Sequence, residues 1–127
     1  MATGVFGTAI NCMDGRTQLP IANWIKANFY TTYVDMINEP GPERFLTQGT
    51  KEQIEYLKTK VLISVNNHGS RVIALVAHDG CAGNPVTKEE HLAQVRQGMR
   101  LLSEWQLPVQ IVGLWVDASG SVETVTP

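Results

Sequence analysis

Both cysteines of this 127-residue chain, and one of its three histidines, fall in two short clusters. The first is Cys12-Met13-Asp14-Gly15-Arg16 and the second is His78-Asp79-Gly80-Cys81, each directly after an apolar, strand-like run. Two thiolates and an imidazole are a sufficient protein ligand set for zinc with one coordination position left open. An open position is what separates a catalytic zinc from a structural one. In an extended segment the i, i+2 and i+4 side chains share a face. Cys12 would then hold the metal, Asp14 would reach the same space, and Arg16 would grip Asp14 as a bidentate pair. Two roles are open to Asp14. It can close the site as fourth ligand or, held by Arg16, accept a hydrogen bond from a zinc-bound hydroxide and orient it for attack. In the second cluster, two ligands three residues apart in a turn can face one ion, and Gly80 lets the backbone curl. Taken alone, each cluster reads equally well as a buried cysteine beside a polar turn. Taken together, after two buried strands, they point to a metal site.

For the clusters to meet, the strands before them must be neighbours. Val5 to Asn11 and Arg71 to Ala77 are near-continuous apolar runs, as parallel strands buried on both faces should be. Leu19 to Phe29 carries apolar residues at 21, 24, 25 and 29, a helical spacing with Pro20 in the first turn. Tyr30 to Ile37, rich in β-branched and aromatic residues, predicts a second strand, and Asn38-Glu39-Pro40-Gly41-Pro42 a loop. Thr50-Lys51-Glu52-Gln53 has the spacing of a capping box. It opens a helix with Ile54, Leu57, Val61 and Val65 on one face, stopped at Gly69. A second box, Thr87-Lys88-Glu89-Glu90, opens a helix continued by Leu92, Val95, Met99 and Leu102. Val109 to Val116 is a further buried strand, and Ala118-Ser119-Gly120 turns the chain into a hairpin partner, Val122 to Val125. Strands alternating with helices predict an α/β fold. Its mostly parallel sheet has four parallel strands plus a C-terminal antiparallel one, flanked by helices. In such sheets ligands gather beyond the carboxyl ends of the strands, where both clusters lie.

The length predicts a single domain, residues 1–127. An apolar fraction of 43% and a charged fraction of 17% are those of an ordinary globular protein. A net charge of -2 gives no reason to expect nucleic acid or an anionic membrane as partner. No apolar run reaches the roughly 18 residues of a membrane span, and the N-terminus lacks the pattern of a signal peptide. The expected compartment is the cytoplasm, where thiols stay reduced. There the two cysteines read as ligands, nucleophile or core residues before they read as a disulfide.

Cys12-x-Asp14-x-Arg16 followed by His78-x-x-Cys81 resembles the motif pair of the β-class carbonic anhydrases. The resemblance runs through most of the chain. Val34-Asp35-Met36-Ile37 occupies the place of that family's second strand. Gln53-Ile54-Glu55-Tyr56 is similar to its Ser-x-Glu-Tyr helix start. Val112-Gly113-Leu114-Trp115-Val116-Asp117, with Gly120, is similar to its terminal Gly-x-x-Tyr-Asp…Gly hairpin. The resemblance implies one Zn2+ per chain on Cys12, His78 and Cys81. It also implies a zinc-bound hydroxide that attacks CO2 to give bicarbonate, oriented by the Asp14–Arg16 dyad, and a homodimer or higher homo-oligomer. Two thiolates cancel the formal charge of Zn2+, so the lowering of the water pKa should be weaker than at a three-histidine site. Activity is therefore expected to rise with pH above neutrality.

The departures from the family pattern fall around the ligands. Family members usually carry a helical arm ahead of the first cysteine, which wraps the partner subunit. Here eleven residues precede Cys12, so the expectation is a dimer and pocket built otherwise, or a pocket lacking one part. The family's Arg-Asn-Ala-Gly is Asn38-Glu39-Pro40-Gly41, and its His-Ser-x-Cys-Gly is His78-Asp79-Gly80-Cys81-Ala82, with Gly83 one step later. Hydrolases of carbonyl sulfide and carbon disulfide share the zinc motif and are the nearest rival enzymes. A zinc-binding protein without turnover, closed by Asp14, is the rival from another class, and a redox role for the two cysteines is a further alternative. Outside the clusters, His68 is expected to be a helix-terminal or core histidine. His91 is expected to be solvated in a helix first turn, with a proton-shuttle role as the alternative. Asp79 reads equally as support for the neighbouring ligand or as a turn cap. Trp24, Trp105 and Trp115 fit amphipathic or buried positions without any ligand.

Overall fold

In a computed structural model that describes residues 4–127, the apolar runs form the strands β1 (Phe6–Cys12), β2 (Tyr33–Glu39), β3 (Val72–His78), β4 (Gln110–Val116) and β5 (Val122–Val125). The helices are α1 (Gly15–Phe29), α2 (Pro42–Gln48), α3 (Lys51–Leu62) and α4 (Lys88–Glu104), with a π-helical turn over Ile63–Asn67. One sheet contains all five strands in the order β2-β1-β3-β4-β5. The first four are parallel and β5 is antiparallel to β4, the arrangement expected from the sequence.

The period-2 geometry of the central strands sorts their side chains onto two cores. Ala9 of β1, Val72, Ala74 and Val76 of β3, and Leu114 and Val116 of β4 face α1, meeting Ile21 and Ile25. Ile10, Ile73 and Leu75 face the other way, onto Leu46 of α2, Leu57 and Val61 of α3, and Leu102 of α4. Helices on both faces leave every residue of β3 buried, which is why that strand carries no alternation. The chain leaves β1 over one face to reach β2 on one side. It then returns over the other face to β3 on the opposite side. The connection therefore reverses direction at the β1/β3 pair, a topological switch point whose carboxyl end forms a crevice. Cys12 and His78 are the last residues of these two strands.

Several elements differ from expectation, each for a local reason. The first helix begins at Gly15 rather than near Leu19, because Asp14 caps it: Asp14 Oδ1 accepts from the Arg16 N–H at 2.8 Å. Pro20 therefore lies beyond the first turn, inside the helix. The same helix ends on Tyr30 in the left-handed conformation (φ 55°), so β2 starts three residues later than expected and runs on to Glu39 opposite Cys12. The expected 38–42 loop shrinks to Pro40-Gly41. Gly41 (φ 58°) turns the chain into α2, a short helix with Pro42 in its first turn that the periodicity did not reveal. The Thr50/Gln53 capping box forms with both reciprocal bonds, at 3.1 and 2.9 Å. Thr87 accepts from the Glu90 N–H at 3.2 Å to open α4. The π turn widens the end of α3, with the His68 N–H donating to the Ile63 carbonyl, before Gly69 (φ 66°) ends it.

Candidate metal centre

Cys12 ends β1, buried at 3% exposure, and its N–H donates to its neighbour's Asn11 Oδ1 at 2.9 Å. The next turn is tied down from two sides. The Met13 N–H donates to the Glu39 carbonyl of β2, and Gln18 Nε2 of α1 donates to the Cys12 carbonyl at 2.8 Å. His78 ends β3, and the Asp79 N–H that follows donates to the Val116 carbonyl at 2.9 Å, extending the ladder to β4. Gly80 (φ 66°) then folds the chain so that Cys81 turns back beneath His78. The outcome is a buried group of Cys12, His78 and Cys81 whose ligand atoms all lie within 4.8 Å of one another and could hold a metal ion.

The donor set fits zinc. Two thiolates at about 2.3 Å from one tetrahedral ion stand about 3.8 Å apart, and the Cys12 and Cys81 sulfurs are 3.9 Å apart. His78 Nδ1 lies 2.7 Å from the Asp79 carbonyl. A carbonyl can only accept, so Nδ1 carries the proton and Nε2 keeps its lone pair. Nε2 is buried and has no hydrogen-bond partner, which is the state of a nitrogen suited to a cation. Burial alone would raise the Cys12 thiol. The His78 ring, when it is protonated, and the backbone of Gly41 and Asp14 outweigh it and lower the thiol to about 7. Cys81 is pushed up to about 11 by burial, by the neighbouring Cys12 and by the charge of Glu43. A divalent cation is the group that would let both sulfurs remain thiolates.

Asp14 and Arg16 meet as expected, but by a different route. The segment is not extended: Asp14 is the α1 cap and Arg16 lies in the first turn. Arg16 Nη2 donates to Asp14 Oδ2 at 2.7 Å and Nε to Oδ1 at 3.0 Å. A second donation from Nη2, to the Gly80 carbonyl at 3.2 Å, ties the guanidinium to the Cys81 turn. The side-chain bond from Arg16 is the largest cause holding the Asp14 carboxyl well below the usual carboxylate range. Asp14 Oδ2 stands 4.0 Å from His78 Nε2, at the edge of the three-residue group and not within it. Beside it opens a cleft of about 360 Å3 lined by Arg16, Thr17, Pro20, His78, Asp117 and Ser119, between α1 and the β4–β5 turn.

A family model described as "Putative carbonic anhydrase" matches residues 2–126. The chain belongs to the β-carbonic anhydrase family. Solved structures of that family share its fold at low sequence identity. A structure from a study of two tetrameric β-carbonic anhydrases of Sordaria macrospora superposes with a TM-score of 0.68 at 12% identity, covering 99% of this chain and 83% of that one. A β-carbonic anhydrase of Aspergillus fumigatus, CafD, gives 0.64 at 12% identity over 100% and 91%. A second from that fungus, CafA, gives 0.62 at 14% identity over 92% and 73%. No curated protein matches the sequence. No described helix is long and apolar enough to cross a membrane.

Around the site, the structure shows how Asp79 supports its neighbour and adds two features, at Gly41 and His91, that the spacing of residues did not signal. Asp79 supports His78 through its backbone carbonyl, while its side chain is exposed. The backbone of Gly41, in a loop remote in sequence, helps to lower the Cys12 thiol. His91 is not solvated: its side chain is 2% exposed, and Nδ1 lies 2.9 Å from Glu43 Oε2, on a carboxylate that is fully buried. Helical periodicity placed His91 on the outside because the side chains that cover it, Glu43 of α2 and Trp115 of β4, come from other parts of the fold. His68 does end its helix, stacked on Phe6 and 2.7 Å from Asp35 Oδ2. Trp115 is buried, and Trp24 and Trp105 pack on the two cores.

Proposed function

We propose that this chain is a zinc lyase that hydrates CO2 reversibly to bicarbonate. The reading takes the chain as one domain acting in the cytoplasm as a homodimer or higher homo-oligomer. Cys12, His78 and Cys81 would hold the ion. Zinc bound there supplies Lewis-acid activation of water near neutral pH. The observation that carries the reading is the Asp14–Arg16 pair beside those ligands. Arg16 occupies both Asp14 oxygens in a bidentate grip, so the carboxylate is committed to Arg16 rather than to closing the ligand set. An ionised carboxylate so held accepts one hydrogen bond from the attacking hydroxyl and fixes the direction of its lone pair toward the carbon of CO2. Because Arg16 keeps Asp14 ionised, Asp14 does not itself take the proton. That proton, released as CO2 and water become bicarbonate, leaves toward solvent through the cleft.

Zinc content and stopped-flow CO2 hydration test this. The wild-type protein should hold one zinc per chain, lost in Cys12→Ser, and should hydrate CO2 at alkaline pH. Stoichiometric zinc with no hydration would leave a silent zinc protein. Turnover of carbonyl sulfide or carbon disulfide in place of CO2 would move the substrate and keep the site.

A further inference from the structure

We propose that Glu43 and His91 are a positioning pair for the metal centre: buried together, they fix the loop that carries Cys81 against α2 and α4, and with it the place of the Cys81 sulfur. The inference rests on reading Cys12, His78 and Cys81 as metal ligands. Neither residue belongs to that group, and neither is needed to close a core. Glu43 is fully buried, and one of its oxygens, Oε1, has no hydrogen-bond partner. Two apolar side chains of similar volume would fill this space at least as stably. What a carboxylate bonded to an imidazole supplies instead is a fixed direction between two helices.

Three segments converge on that direction. Glu43 sits at the start of α2 and bonds His91 in the first turn of α4. Asn84, 1% exposed, lies between them and the cysteine. Its Nδ2 is 3.5 Å from His91 Nδ1 and donates to Gln94 Oε1 at 2.6 Å, while its N–H returns to the Cys81 carbonyl at 3.3 Å. The start of α2 presses directly on this loop. A Cβ on Gly83 would meet Pro40 Cβ at 2.7 Å, and one on Gly41 would meet Asn84 Cβ at 2.8 Å. The same segment also braces Cys12, because the Met13 N–H donates to the carbonyl of Glu39, two residues before Gly41. A shift of α2 against α4 would therefore move supports of both cysteines at once.

The readouts are zinc affinity by chelator competition and the visible spectrum of the Co2+-substituted protein, which reports thiolate coordination. His91→Phe removes the donor at similar shape. His91→Asn keeps a donor near the place of Nδ1. Glu43→Leu with His91→Phe replaces the whole pair by apolar groups, leaves no buried charge unpaired, and carries the measurement if the single variant does not fold. The expected result is a zinc affinity reduced by about 10- to 100-fold and an altered Co2+ spectrum in His91→Phe and in the double variant. Far-UV circular dichroism should stay that of the wild type, and His91→Asn should recover most of the affinity. A merely structural pair would move the melting temperature and leave the Co2+ spectrum alone. Wild-type affinity and spectrum in the folded double variant, or His91→Asn no better than His91→Phe, would overturn the proposal. A wild-type protein that binds neither zinc nor Co2+ would overturn the metal-centre reading and this one with it.

Discussion

Asp14 has to stay charged and stay aimed, and Arg16 provides both. The carboxyl is held well below its usual range chiefly by the side-chain bond from Arg16. The direction of that shift sets a pH window. A carboxyl depressed on folding contributes stability that is fully present above its ordinary value, near 3.9, and is lost as pH falls through the lower folded value. Asp14 is thus ionised throughout the neutral and alkaline range and cannot shape an activity profile there. A rise of CO2 hydration between neutral and mildly alkaline pH would belong to the water on the metal, and a flat or falling profile in stopped-flow measurements would argue against that chemistry. Asp14→Asn keeps the shape and loses the charge that Arg16 stabilises. We expect it to lower kcat by about 10²-fold or more while zinc content stays stoichiometric.

At the scale of elements, the ends of strands and helices do the positioning. Cys12 is placed by the last rung of β1 and His78 by the last rung of β3, while Asp14 is placed as the cap of α1. The α1 cap serves the site and the fold together, since one Asp14 oxygen takes both the Arg16 N–H and the Arg16 Nε. The α3 cap serves the fold alone. Thr50 and Gln53 exchange their two capping bonds far from the cysteines in the chain. Thr50→Ala should therefore cost about 1 kcal/mol, seen as a lower urea midpoint, with CO2 hydration and zinc content unchanged. The spacing of Thr50 and Gln53 made this cap readable from the sequence. Nothing in the spacing announced α2, because seven residues opened by Pro42 are too short to show a helical period.

The whole molecule is held by the approach of α4 to the sheet. Gly98 faces β3, and a Cβ there would collide with Leu75 Cδ2 and lie 3.3 Å from Leu46 Cδ2. Alanine in a helix interior is favoured over glycine by about 1 kcal/mol, but here overpacking should win. Gly98→Ala is expected to destabilise the protein by a net ~1–3 kcal/mol, measured as a lowered melting temperature. An unchanged or raised melting temperature would mean that α4 can move off the sheet. The same approach carries His91 and Gln94 to the Cys81 loop, so a displaced α4 would be felt at the metal ligands as well.

The sequence by itself determined the alternation of strands and helices, the burial of β3 on both faces, the α3 cap and the identity of the three candidate ligands. Each of these is a local matter of period, capping chemistry or residue type. It also named the Asp14–Arg16 pair, although through an extended geometry that the chain does not adopt. Only the tertiary structure decided the rest. Cys12 and Cys81, 69 positions apart, come within 3.9 Å because β1 and β3 adjoin where the chain reverses direction. His91 is buried because Glu43 of α2 and Trp115 of β4, both remote in the chain, pack against the start of α4. Periodicity reports which face of an element is apolar. It is silent on which segment, remote in the chain, will cover a polar one.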